Sequence, residues 1–217
     1  MKENNRKQIR YNIGNAQTIG SLENQSNYFA AFRMPNYLAV IADGGIDHAN
    51  GRRAAVIAVE NMAGAFTGKI LNKEHFDEVV NGAVADIIRS VKDNIYRGRT
   101  PGLSLSVLCV SDGIAYFYSV GDIKIFIYDD RNIRNIYGLS FNNVYAAKPT
   151  DNFMMVSQGV CGVLTQVELL HILREKNAYG RTEECAYNKS VRIIEEINRK
   201  NIKDAGNATV VLLEGVI

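Results

Sequence analysis

Asp43 and Gly44 end an apolar run over residues 37–42, and a loop of Gly, Asp and Asn residues follows before an apolar-periodic stretch that begins near Arg52. A carboxylate at a strand end, beside a glycine whose carbonyl can be approached closely, suits a hard cation such as Mg²⁺ or Mn²⁺. Asp-Gly is equally a common turn pair. Asp43 therefore has two readings: it holds a cation weakly with Gly44, or it caps the following helix and fixes the loop. Asp47, in the same loop, is a solvated turn acid or a compensating ligand. Cys109, Cys161 and Cys185 are far apart and lack CxxC spacing, which fits reduced thiols better than a disulfide frame or a zinc site. No His or Asp partner can be assigned to Cys161, so an inert thiol is preferred to a nucleophile. His75 and His171 stand alone on helical stretches, and Asp122 belongs to a turn. Arg52 and Arg53 either begin a solvated helix or contact an anionic partner.

Composition narrows the function classes. The formal net charge of +2 gives no argument for nucleic acid or an anionic membrane. No apolar run approaches the ~20 residues needed to span a bilayer. The N-terminus has no apolar core of a signal peptide, and its basic residues Lys2, Arg6, Lys7 and Arg10 read as a solvated tail. The expectation is one cytoplasmic, bacterial domain over residues 1–217, with 1–12 as a flexible tail.

The elements that must position Asp43 follow from periodicity. Tyr28, Phe29 and Phe32 mark a first strand, Met34-Pro35-Asn36 a turn, and 37–42 a second strand. Helices are expected over 54–71 and 76–95, the latter with a sustained apolar face, and residues 97–102 then punctuate the chain. Strands follow at 103–110, 115–120, 124–128, 133–137, 144–147 and 153–157. Thr165 and Glu168 form a capping box that opens a helix, a further helix spans 183–200, and 208–213 is a closing strand. This order predicts an α+β fold with two layers of antiparallel sheet covered by helices.

Four motifs, in order along nearly the full chain, resemble those of the metal-dependent (PPM, type 2C) serine/threonine protein phosphatases. The run Asp43-Gly44-Gly45-Ile46-Asp47-His48-Ala49-Asn50-Gly51 is similar to the family's DGxGGHxxG, matching at Asp43, Gly44, His48 and Gly51. Val120-Gly121-Asp122 resembles VGDSR, residues 153–164 resemble FLLLSDGLTDVL, and residues 206–211 resemble DNITVV. The resemblance implies a four-layer αββα sandwich, two antiparallel sheets flanked by helix pairs. It also implies an active site at one end, where two Mg²⁺ or Mn²⁺ ions activate a water. Two such ions ~3.5–4 Å apart need several carboxylates to neutralise their repulsion.

Against that pattern the chain departs at the positions that matter most. Leu22 stands where the family has a phosphate-gripping arginine, and Ser26 and Asn27 where it has an acidic pair. Gln158, Gly162 and Gly206 replace three aspartates, leaving Asp43 and the Gly44 carbonyl of the implied ligand set. Ser, Asn and Gln offer neutral oxygens without the charge that holds dications, and Leu22 cannot make a bidentate contact to phosphate. The expectation is a catalytically inactive pseudophosphatase with no cofactor. It would act as a binding or regulatory module for a protein partner: a kinase, a phosphoprotein or another regulatory subunit. The alternative is a divergent serine/threonine phosphatase that holds Mg²⁺ or Mn²⁺ weakly through Asp43, Gly44, Asp47 and waters.

Overall fold

Residues 38–42 are all 0% exposed, the burial expected of a strand covered on both faces. Their side chains alternate. Leu38, Val40 and Ala42 join one hydrophobic cluster, and Ala39 and Ile41 join another. That alternation is the key to the layers of the fold. The computed structural model describes residues 9–33, 35–45, 48–94, 102–140, 142–174, 183–203 and 205–216.

The chain runs β1 (Arg10–Thr18), β2 (Asn27–Arg33), β3 (Tyr37–Asp43), α1 (His48–Ala65) and α2 (Lys73–Asn94). Next come β4 (Ser104–Ser111), β5 (Ile114–Val120), β6 (Lys124–Tyr128), β7 (Ile133–Asn135), β8 (Val144–Ala146) and β9 (Asn152–Val156). The chain closes with α3 (Gln158–Cys161), α4 (Gln166–Arg174), α5 (Glu183–Lys200) and β10 (Ala208–Val216). Two five-stranded sheets result, ordered β1-β10-β9-β6-β7 and β2-β3-β4-β5-β8, and every pairing is antiparallel.

Three clusters fill the spaces between four layers. Ile41, Leu108, Phe117, Ile125, Phe153 and Val211 pack between the two sheets. Val40 and Val107 meet Met62, Phe76 and Ile87 of α1 and α2 on one outer face. Met154, Val210 and Leu212 meet Leu169, Ile193 and Ile197 of α4 and α5 on the other. This is the expected αββα arrangement.

Some boundaries differ from the sequence reading, each for a physical reason. Arg10, Tyr11 and Asn12 do not belong to a flexible tail. They begin β1, which pairs with β10 over nine residues and puts the Tyr11 ring 5.2 Å from that of Tyr37. Helix α1 starts at His48 and ends at Ala65, so Phe66 and Ile70 are buried from a loop, which carried the apolar pattern past the helix end. The strand expected over 133–137 stops at Asn135, whose side chain accepts from the Tyr137 N–H and turns the chain into a short 3₁₀ helix. Met34 of the predicted turn, Ile95 and most of 97–102 lie outside the described residues.

The capping box forms. The Glu168 carboxylate accepts from the Thr165 N–H and hydroxyl, both at 2.9 Å, while the Glu168 N–H donates to Thr165 Oγ1. Lys200 of α5 adds an ion pair at 2.7 Å, joining α4 to α5. Lys200, then the two Thr165 donors, hold the Glu168 pKa down at about 2. A carboxylate depressed in the folded state stabilises it fully above its unfolded value, and the benefit is lost as pH falls through about 2. We therefore expect hydrogen exchange of the first-turn amides of α4, corrected for intrinsic rates, to accelerate as pH falls from about 5 to about 2. Glu168→Gln should exchange fast across that range, with no such acceleration.

Candidate functional site

Asn27 pairs with Asp43 where β2 begins and β3 ends, and β9 ends as β10 begins at Val156 and Ala208. The four termini fall at the same end of the sandwich, where the antiparallel sheets bring distant chain segments together. Between them lies an open cavity of about 470 Å³. Six positions singled out in the sequence line it: Leu22, Ser26, Asp43, Gln158, Gly162 and Gly206. Asn27 and Gly44 are not among its lining residues. Asp47 lies outside the described residues, and the His48 side chain is not described although its backbone opens α1.

Asn207, which the sequence reading did not single out, holds this end together. It is 4% exposed. Its Nδ2 donates to the carbonyls of Ile19 and Asn24, both at 2.9 Å, and its Oδ1 accepts from the Ser26 N–H and hydroxyl, both at 2.6 Å. The Asn207 carbonyl accepts from Asn27 Nδ2 and from Ser157 Oγ. One residue thus fixes the link from β1 to β2, the start of β10 and the end of β9. The only sequence signal for it was its place in the DNITVV-like run.

Asp43 is half-buried, and its Oδ1 accepts from the Gly45 N–H at 2.9 Å and sits 3.3 Å from Ser26 Oγ. The Gly45 bond fixes the first residues of the loop, and no bond from Asp43 to the helix it was expected to cap is formed among the described residues. Gly44 and Gly51 are needed for contact: a Cβ on Gly44 would lie 1.9 Å from the Gly51 carbonyl oxygen, so β3 and α1 approach backbone to backbone. Gly159 is similarly pressed onto Asn207, with a Cβ placed 2.2 Å from its carbonyl oxygen. Arg52 donates to the Asn27 carbonyl and lies over the Tyr28 ring at 4.6 Å, which ties α1 to β2.

Solved structures share this architecture. No protein-family profile matches the sequence, and no curated protein sequence does. The Mycobacterium tuberculosis serine/threonine phosphatase PstP/Ppp superposes with a TM-score of 0.76 at 16% identity, covering 95% of this chain and 98% of that one. The fold is that of the PPM-type serine/threonine phosphatases. PppA, described as a key regulatory component of T6SS in Pseudomonas aeruginosa, gives 0.78 at 14% identity, with coverage of 95% and 98%. The Streptococcus agalactiae enzyme, named in its structure as the S. agalactiae serine/threonine phosphatase, gives 0.76 at 15% identity, with coverage of 94% and 99%. A structure of the PstP catalytic domain is described as a complex with 2 manganese ions.

Two dications do not suit the residues at this end of the PPM fold here. Among the described residues Asp43 is the one carboxylate of the lining, against neutral Ser26 and Gln158 and side-chain-free Gly162 and Gly206. Among the described residues, no group of three or more His, Cys, Asp and Glu side chains stands close enough to hold a metal. Among the described residues no Lys or Arg lines the cavity to grip a phosphate, and Leu22 lies in its wall. Cys161, next to Gly162, is half-buried, and burial pushes its thiol up while Lys124 pulls it partly back, so the reactive thiolate is disfavoured.

The lost and kept positions of the PPM fold differ in the space around them. A Cβ on Gly206 would meet nothing within 4 Å, whereas one on Gly159 would overlap backbone. We expect Gly206→Asp to remain folded, within about 1 kcal/mol of the parent in urea unfolding. Gly159→Asp should lose about 3 kcal/mol or fail to fold.

Proposed function

We propose that this protein is a catalytically inactive, PPM-type phosphatase-like domain, a pseudophosphatase retained as a binding or regulatory module. The observation that supports it is the pocket itself, which gathers six of the expected positions at one end of the sandwich and presents a single carboxylate among the described residues. Phosphoester hydrolysis through two dications needs charge that this lining does not supply. The surrounding core is fully formed, so the altered residues are concentrated in the pocket and do not extend through the hydrophobic clusters.

As a module, the domain would work through a protein partner: a kinase, a phosphoprotein or another regulatory subunit. Its three cysteines are free thiols, which supports a reducing compartment such as a bacterial cytoplasm. No helix among the described residues is long and apolar enough to cross a membrane.

The decisive assay is hydrolysis of an aryl phosphate in millimolar Mn²⁺ or Mg²⁺, beside Asp43→Ala. We expect both proteins to stay at the buffer rate. Turnover that requires both the metal and Asp43 would overturn the reading in favour of a divergent phosphatase. The double variant Gln158→Asp/Gly206→Asp restores two acids beside Asp43, and isothermal titration should then show Mn²⁺ binding tighter than the parent's by about tenfold or more. Position 27 is left as it stands, because the Asn27 amide donates to the Asn207 carbonyl and to Thr209 Oγ1, contacts a carboxylate there would not reproduce.

A further inference from the structure

The pocket's chemistry has changed, and what remains is specific. Among the described residues its lining carries one charge, the half-buried Asp43 carboxylate, set among Leu22, Val163, Ile202 and Ala205. None of the ion pairs among the described residues involves Asp43. Its Oδ1 is engaged by Gly45 and Ser26, and no hydrogen bond to Oδ2 is formed among the described residues. The apolar surface continues outward: Ile202 is 42% exposed, and Ile19, whose carbonyl accepts from Asn207 and from the Leu22 N–H, is 45% exposed.

A ligand that covers this pocket strips water from a carboxylate, which is costly unless the ligand brings a positive charge. An anion would face Asp43 with no basic side chain among the described lining residues to hold it, so a phosphate group is disfavoured here. A wholly apolar group would leave the carboxylate unpaired. The fitting occupant has a cationic head and an apolar stem, the chemistry of a long basic side chain. Arginine suits it better than lysine, because a guanidinium pairs with a carboxylate in a fixed plane and is weakly hydrated. The volume, about 470 Å³, lies in the range of pockets that enclose one small group.

We propose that this pocket receives an arginine side chain of a partner protein, its guanidinium on Asp43 and its methylene stem against Leu22, Val163 and Ile202. The proposal rests on the inactive reading above, and it names how the module would engage its partner.

The test is a metal-free titration with acetyl-Gly-Arg-Gly-amide, followed by the backbone amide signals of Gly45, Gly159, Gly162 and Gly206. Saturable shifts are expected, with the neutral citrulline peptide about tenfold weaker or more. Asp43→Asn should weaken the arginine peptide by a similar factor, and Leu22→Ser by about threefold. Equal binding of arginine and citrulline peptides, no saturable shift, or full binding by Asp43→Asn overturns the proposal. Agmatine binding as tightly as the peptide would overturn the partner assignment and mark a site for a free cation. Metal-dependent hydrolysis in the separate assay would instead overturn the inactive reading, so the two failures are distinguishable.

Discussion

Everything at the functional end of this sandwich depends on the side chain and carbonyl of Asn207. Its amide closes the link from β1 to β2 onto the first turn of chain before β10, using both donors and its acceptor. Its carbonyl receives Asn27 from β2 and Ser157 from the end of β9. The two sheets are therefore joined at this edge by directed bonds as well as by the apolar layer between them. A pocket wall built from separate segments needs such a fastening, because loops alone bury too little surface to hold a fixed shape.

That fastening explains which parts of the family pattern persist. Gly44, Gly51 and Gly159 lie where one backbone presses on another, and any side chain would part the segments. Gly162 and Gly206 face the cavity, where the constraint in an active relative is charge. Packing places no comparable demand there: Gly206 has open space around it, and Gly162 has only the Gln158 carbonyl at 3.3 Å. Shape and charge are separable requirements at this site. The described lining meets the first and supplies little of the second.

The layered fold was legible because β3, β9 and β10 alternate their apolar residues between two hydrophobic clusters. The pocket was legible too, since motif spacing brought Leu22, Ser26, Asp43, Gln158, Gly162 and Gly206 into one lining. Strand β1 was not. Its run RYNIGNAQT is polar and contains Gly14, and its order comes from pairing with β10 and from α5, whose Ala186 carbonyl would lie 2.1 Å from a Cβ on Gly14. Arg52 is expected from sequence to begin a solvated helix or to meet an anionic partner; its bond to Asn27 and its place over Tyr28 were not legible, because they join residues far apart in the chain. Local pattern reports burial well. It does not report which distant backbone atom a polar side chain will find.

Asn27 restricts what its own position can hold. Its amide is wholly buried, donating to Asn207 and Thr209 while its own Oδ1 has no partner among the described residues. An acid at this position would set a carboxylate oxygen against the Asn207 carbonyl, two acceptors with no proton between them. An acid placed there would thus first loosen the residue that holds the pocket together. At position 27 the hydrogen-bonding of the neighbours, and not the space around the side chain, decides which residue is tolerated.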